Sequence, residues 1–315
     1  MQLFVNDLTV IDFSYLCPER GIVGESWIVD IILDGSLNDQ SMVLDFGRVK
    51  KQVKAIIDQS VDHKLLIPTE HAYTQVTRET EGTHYWVDFL RPGKTVHLYC
   101  PADAYAFIDS DVITQESTID YLQAVIKREL PANVEGLQLT LRAEEINGFY
   151  YHYTHGLKKH DGNCQRIAHG HRSALKIFID GMRSTAWEQR WSRRWEDIYV
   201  GTAEDISNAE SMKLSSSAQA HAGEGHIFYS YMAEQGLFEL ILPKNENEVM
   251  PTDTTVERIA DYIAREIAIE VANERKVLTA NTSTANTAAS ELSAQSLKIK
   301  VIAFEGVGKG AIGYA

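Results

Sequence analysis

The chain has 315 residues and a formal net charge of −14, with 44% hydrophobic and 23% charged residues. That is enough for two modest domains, and the acidic balance disfavours nucleic acid or an anionic membrane as the main partner. No run approaches the ~18 apolar residues of a membrane span, and the opening MQLFVNDLTVIDF lacks the pattern of a secretory signal. The cysteines Cys17, Cys100 and Cys164 are odd in number and scattered, which points to a reducing, cytoplasmic setting rather than a disulfide framework.

In chain order, GIVGESWIVDIILDG reads as a strand that ends in the Asp34-Gly35 turn. FGRVKKQVKAIIDQ follows as a helix with an apolar face of Val49, Val53, Ile56 and Ile57. STIDYLQAVIKREL, with Ser117 or Thr118 at its start, predicts a second helix, and LQLTLRAE a strand ending at Glu144. Past a boundary near Glu145 to Gly148 the order recurs. IAHGHRSALKIFIDG lies over the first strand so that Arg20 falls on Arg166, Gly24 on Gly170 and Ile31 on Ile177. Phe13-Ser14-Tyr15 falls on Tyr153-Thr154-His155. Trp187, Trp191 and Trp195 share one helix face, more suited to packing than to a binding platform. TTVERIADYIAREIAIEVANE buries Ile259, Ile263, Ile267 and Val271, and LKIKVIAFE is the closing strand, ending at Glu305. The small polar run Thr279 to Ser296 predicts a long flexible loop. Each half is therefore α+β, with an expected antiparallel sheet.

The densest chemical signal is YTHGLKKHDGNCQRIAHGH. His169 and His171 are two apart on a strand, so both rings project from one face. With His155 on the preceding strand they form the three-histidine set that leaves a catalytic zinc one open position. Cys164 lies between them as a fourth ligand or a thiolate base, and His152 and His160 stand nearby. Lys158, Lys159, Arg166 and Arg172 form a local basic cluster, read either as a phosphate site or as a solvated face. In the first half Asp62 precedes His63, the pairing of a carboxylate with a general base. Adjacent side chains seldom bond to one another, so the dipeptide by itself reads as a turn with a surface histidine.

VLDFGRVKK…VDHKLLIP, the His155…Cys164-x4-His169-Gly-His171 segment, PTDTTVERIADYI and VIAFEGVGKGAIGY together resemble the 6-pyruvoyl/6-carboxytetrahydropterin synthase family. The resemblance implies two fused tunnelling-fold units, 1–146 and 147–315, each an antiparallel four-stranded sheet with two helices on one face. It implies His155, His169 and His171 as ligands of Zn2+, Cys164 as the catalytic thiol, and Asp62 and His63 as its proton relay. Glu305, helped by Thr254 and Thr255, would hold the pterin, although Glu144 competes for that role. The substrate implied is 7,8-dihydroneopterin triphosphate, the product a 6-carboxy or 6-pyruvoyl pterin of queuosine or tetrahydropterin biosynthesis, and the assembly a homo-oligomer.

The departures matter as much. Where the second half has His155, His169, His171 and Cys164, the first has Tyr15, Val23, Glu25 and Pro18. The second half has no clear Asp-His, His221 and His226 lacking a preceding Asp. Each half lacks what the other keeps, which predicts one complete site per chain, divided between the halves. The rival readings are a non-catalytic zinc- or pterin-binding protein of the same fold, and a zinc hydrolase using Glu224.

Overall fold

The computed structural model describes residues 1–80, 82–281 and 297–315. β1 (Gln2–Cys17) and β2 (Gly21–Gly35) form a long antiparallel hairpin whose register shifts between Val5 and Thr9. A helical segment follows as α1 (Phe46–Arg48), a π turn (Val49–Val53) and α2 (Lys54–Ser60), capped by the Asp45 carboxylate on the Arg48 N–H. β3 (Leu65–Pro68) returns parallel to β1. The hairpins β4 (Thr74–Arg78), β5 (His84–Phe89) and β6 (Val96–Pro101) leave the sheet before β7 (Tyr105–Ile108), which lies parallel to β3. α3 (Gln115–Lys127) starts at a Thr114–Ser117 capping box, and β8 (Val134–Ala143) closes the far edge against β2. The order is β7-β3-β1-β2-β8. Val49, Val53 and Ile57 of the predicted helix face, with Leu122 and Ile126 of α3, pack on Ile11, Phe13, Val29 and Ile31 of the sheet.

β9 (Tyr150–His155), β10 (His169–Ile179), β11 (Met182–Arg183), α4 (Thr185–Arg194) and β12 (Ile198–Thr202) begin the second half. α5 (Ser216–His221), β13 (His226–Ala233), β14 (Gly236–Pro243), β15 (Asn247–Met250), α6 (Val256–Asn281), β16 (Ile299–Phe304) and β17 (Gly310–Tyr314) complete it. The path β15-β12-β9-β10-β16 repeats the order of the first sheet, with β17 added at its edge. Trp191 and Trp195 are buried here with Ile259, Ile263 and Ile267 of α6, so the tryptophan face packs a core. The predicted loop begins inside α6, and its residues 282–296 lie outside those described.

The four-stranded antiparallel sheets expected from the sequence are corrected. The sheets have five and seven strands, and β3, β7, β12 and β15 join them in parallel. β3 and β12 are short and buried on both faces, so they carry no polar alternation to betray them. A third sheet, β13-β14-β6-β5-β4, was also illegible, because it exists only where the halves meet. Its centre pairs Leu98 of β6 with Leu240 of β14.

The two larger sheets meet closely at one point. Ser14 Oγ and Thr154 Oγ1 are 2.7 Å apart. A Cβ on Gly24 would fall 1.9 Å from the Tyr153 carbonyl oxygen, and one on Gly170 2.6 Å from the Gly24 Cα. Only glycine at both positions lets the backbones approach this far. Among the described residues no helix is long and apolar enough to cross a membrane.

Candidate active site between the halves

β9 and β10 pair so that His155 lies opposite His169, and His171 follows on the same face of β10. The three rings are at most 1% exposed, and one ring nitrogen from each falls within 4.8 Å of the others. His155 Nδ1 donates to the Thr254 carbonyl and His169 Nδ1 to the Arg166 carbonyl, each at 2.9 Å. A carbonyl only accepts, so the proton sits on Nδ1 and Nε2 keeps a free lone pair. Burial, reinforced by the neighbouring histidines, pushes both imidazoles well below the usual histidine range, so both are neutral. His155 Nε2 and His171 Nε2 are buried without a partner, and His171 Nδ1, although near a carboxylate, makes no hydrogen bond either. An orphaned buried nitrogen costs about 1–3 kcal/mol. Two of them beside a third neutral imidazole fit a divalent metal, which takes such lone pairs as ligands.

The Asp62–His63 pair comes from the first half, in the turn between α2 and β3. His63 has a positive φ of 53°. That backbone turns the ring back on its neighbour, and His63 Nδ1 donates to Asp62 Oδ2 at 2.7 Å. The adjacent-residue objection is met by this turn. His63, Cys164 and His169 each bring one ligand-type atom within 4.8 Å of the others. Burial pulls the imidazolium down, but the bonds and charges of Asp62 and Cys164 outweigh it and raise its pKa to about 10. Cys164 sits in the tight turn Gly162–Gln165, held by the Leu157 N–H on its carbonyl at 3.0 Å. The rings of His63 and His169 are 5.0 Å apart between centroids. Sequence segments a hundred residues apart are thus in one constellation.

The cavity over these groups has a volume of roughly 170 Å³ and is lined by His63, Cys164, His169, His171, Thr255 and Glu305, with His160, Glu257 and Lys309 at its margin. Glu305 Oε1 lies 4.0 Å from His171 Nε2. Glu144 does not line this cavity; its carbonyl accepts from Arg172 Nη1 at 2.8 Å. Thr254 is fully buried behind His155, where its carbonyl and hydroxyl both face Nδ1, so Thr255 alone of that pair reaches the cavity. The basic cluster disperses. Lys158 pairs with Asp205 and Glu204, Lys159 with Glu204 and Asp253, and Arg172 stacks on Tyr150. Arg166 is buried beneath the Asp62 and His63 carbonyls. Among the described residues Lys309 is the lysine that lines the cavity.

Sequence reasoning missed Asp12 and Lys309. Asp12 Oδ1 lies 3.2 Å from His171 Nδ1, in a bent contact, and Oδ2 lies 3.2 Å from Lys309 Nζ. Burial raises the Asp12 carboxyl, but His171 and Lys309 overcome it and hold the group well below the usual carboxylate range. Nothing local marks Asp12, because its partners come from the other half.

The corresponding place in the first half is built differently. Thr154 pairs with Tyr199 on β12 as Ser14 pairs with Leu65 on β3, which sets Glu196-Asp197 where Asp62-His63 stands. Asp197, also at positive φ, accepts from Arg20 Nε at 2.8 Å, and Arg20 Nη1 donates to Tyr15 Oη at 3.1 Å. Glu25, at the position of His171, has its pKa raised by burial to about 7. No described metal-type cluster includes these residues.

The mixed α+β fold holds a histidine-rich centre with an Asp-His pair beside a thiol. Residues 18–147 match the model of the family described as 6-pyruvoyl tetrahydropterin synthase, and the chain is consistent with membership of that family. The matched stretch, under half the chain, contains Asp62 and His63 but not the three histidines or Cys164. No curated protein matches. Among solved structures, the 6-pyruvoyl tetrahydropterin synthase of Plasmodium falciparum is 13% identical, with 45% of this chain and 90% of that one covered and a TM-score of 0.36. That of Plasmodium vivax is also 13% identical, with coverage of 45% and 97% and a TM-score of 0.34. Both likenesses are too weak to add to the family match.

Proposed function

We propose that this protein is a zinc-dependent lyase that converts 7,8-dihydroneopterin triphosphate to 6-carboxytetrahydropterin, with 6-pyruvoyltetrahydropterin as the alternative product. One observation carries the reading: His63, held by Asp62 in one half, lines a single cavity with Cys164, His169 and His171 of the other. The shared strand order supports two fused tunnelling-fold units, 1–146 and 147–315, with one complete site per chain. We also take the protein to be a cytoplasmic homo-oligomer.

His155, His169 and His171 would hold the zinc, which when bound supplies a Lewis acid for the side-chain oxygens of the substrate. Cys164, as thiolate, removes a proton from the substrate side chain. His63 exchanges that proton with the thiol, and Asp62 fixes its ring and favours its charged form. Triphosphate then leaves by elimination, and in the carboxy-forming branch water adds and the two outer side-chain carbons depart as acetaldehyde. Glu305 receives the pterin 2-amino and N3 hydrogens as a charge-assisted pair. Lys309 is the group we assign to the phosphate end.

The test is to incubate the zinc-loaded protein with dihydroneopterin triphosphate and identify the pterin by mass, with Cys164→Ala and His63→Ala in parallel. A 6-carboxy or 6-pyruvoyl pterin that both variants fail to form, while still holding zinc, supports the reading. Bound zinc and pterin without any product would replace it with the binding protein.

A further inference from the structure

Asp12 lies on β1, in the half that supplies none of His155, His169 and His171, yet both parts of the site are tied to it. Its backbone N–H donates to Asp62 Oδ1 at 2.8 Å, and its carbonyl accepts from the His63 N–H at 2.7 Å. Main-chain atoms therefore fix the carboxylate and the backbone of the relay pair. Its side chain serves the other part. Oδ1 accepts from Ser26 Oγ at 2.5 Å and faces His171 Nδ1 at 3.2 Å, and Oδ2 pairs with Lys309. The residue is 4% exposed, a depth at which a carboxylate persists only with partners.

A second observation concerns the space this carboxylate occupies. Gly306 has a φ of 67°, and a Cβ there would lie 2.4 Å from Asp12 Oδ1 and 2.9 Å from Ser26 Oγ. The residue after Glu305 is thus glycine where any side chain would displace the Asp12–Ser26 pair. His155 and His169 are oriented by backbone carbonyls of their own half. His171 has a carboxylate from the other half instead.

We propose that Asp12 is a positioning residue joining the two parts of the site. Its carboxylate keeps the His171 proton on Nδ1 and turns Nε2 to the metal position, while its backbone sets Asp62 and His63 in register with the same centre. A carboxylate behind a ligating histidine fixes the tautomer and raises ligand basicity, and losing one weakens metal binding about 10- to 100-fold. The inference rests on the metal-centre reading above.

The experiment uses the full chain, stripped of metal, with Asp12→Ala and Asp12→Asn. Zinc affinity is measured by competition with a chromophoric chelator, cobalt(II) coordination by its visible absorption, and metal-free stability by melting. Asp12→Ala should bind zinc about 10- to 100-fold more weakly, with an altered cobalt spectrum. Asp12→Asn, which keeps an oxygen facing Nδ1 but not the charge, should fall between it and the native protein. Should Asp12→Ala fail to fold, Asp12→Asn decides alone. Variants that melt lower yet bind zinc within about threefold of the native protein, with the same cobalt spectrum, would make Asp12 a merely structural ion pair and overturn the inference alone. A native protein that takes up neither metal would overturn the metal-centre reading, and the inference with it.

Discussion

Replacing Gly170 by alanine tests whether the close approach of the two sheets holds both the fold and the site. The added methyl would lie 2.4 Å from the Tyr153 carbonyl oxygen, 2.5 Å from Ser14 Oγ and 2.6 Å from the Gly24 Cα. Two of these three obstacles are backbone atoms of packed strands, so no rotamer change relieves them. Overpacking of this kind costs about 3 kcal/mol or somewhat more. At about 2.1 cal/mol/K per residue the unfolding entropy of this chain is about 0.7 kcal/mol/K, so the Tm should fall by about 5 °C. Because His169 and His171 flank Gly170 on β10, the backbone shift should also weaken metal binding. Scanning calorimetry with Gly223→Ala as control, where an added Cβ meets nothing within 4 Å, provides the assay. A Tm within about 1 °C of the native value, with metal affinity unchanged, would refute the reasoning.

Glu25 gives a pH dependence with a definite sign. Its folded pKa of about 7 exceeds its ordinary value of 4.5, so the native state holds the proton more tightly than the unfolded one. Stability from this group is present at low pH, falls as pH rises from about 4.5 to about 7, and is flat above that. Glu25→Gln should remove that slope and raise stability at pH 8 by up to about 3 kcal/mol, read by urea unfolding at pH 5 and pH 8; an unchanged slope would contradict the burial argument. Zinc in excess should raise the Tm of the metal-free protein, by about 4 kcal/mol in stability at a thousand times Kd. His155→Ala should abolish that rise, and a persisting rise would place the metal elsewhere. Arg20→Ala leaves Asp197 without its guanidinium partner and should cost about 1–3 kcal/mol, with a double-mutant cycle against Asp197→Ala showing coupling between the two; additive effects would reduce the pair to a surface contact.

The residues of the site were more legible than its surroundings, for a physical reason. Histidines spaced two apart on a strand declare a shared face, and Cys164 and His155 fall within the same short window. Asp62-His63 was visible as a dipeptide, but what makes it a pair is the left-handed backbone at His63, which composition does not reveal. Asp12 was invisible because a buried aspartate in a strand has meaning only through what lies across the junction. The helices followed their apolar spacing closely: Val49, Val53 and Ile57 are buried as expected. The short parallel strands escaped because two-sided burial removes the alternation by which strands are read. The basic cluster misled, since sequence proximity said nothing of the acidic residues that Lys158 and Lys159 would meet.

The pairing of Leu98 with Leu240 also governs how the two halves fare apart. Each half contributes strands to the third sheet, and separating them strips β6 and β14 of a neighbour and bares two ladders of backbone donors and acceptors. A fragment ending near residue 146 would carry an open edge built for a partner, and its simplest remedy is to add another copy of itself along that edge. Covalent linkage keeps the matching edge always at hand, at an effective concentration that a loose copy cannot rival. It also frees each side of the junction to change without the other, since a substitution in a single chain is made once and not mirrored. Arg20 and Asp197 can then settle into an ion pair on one side while His63 and Cys164 keep a cavity on the other.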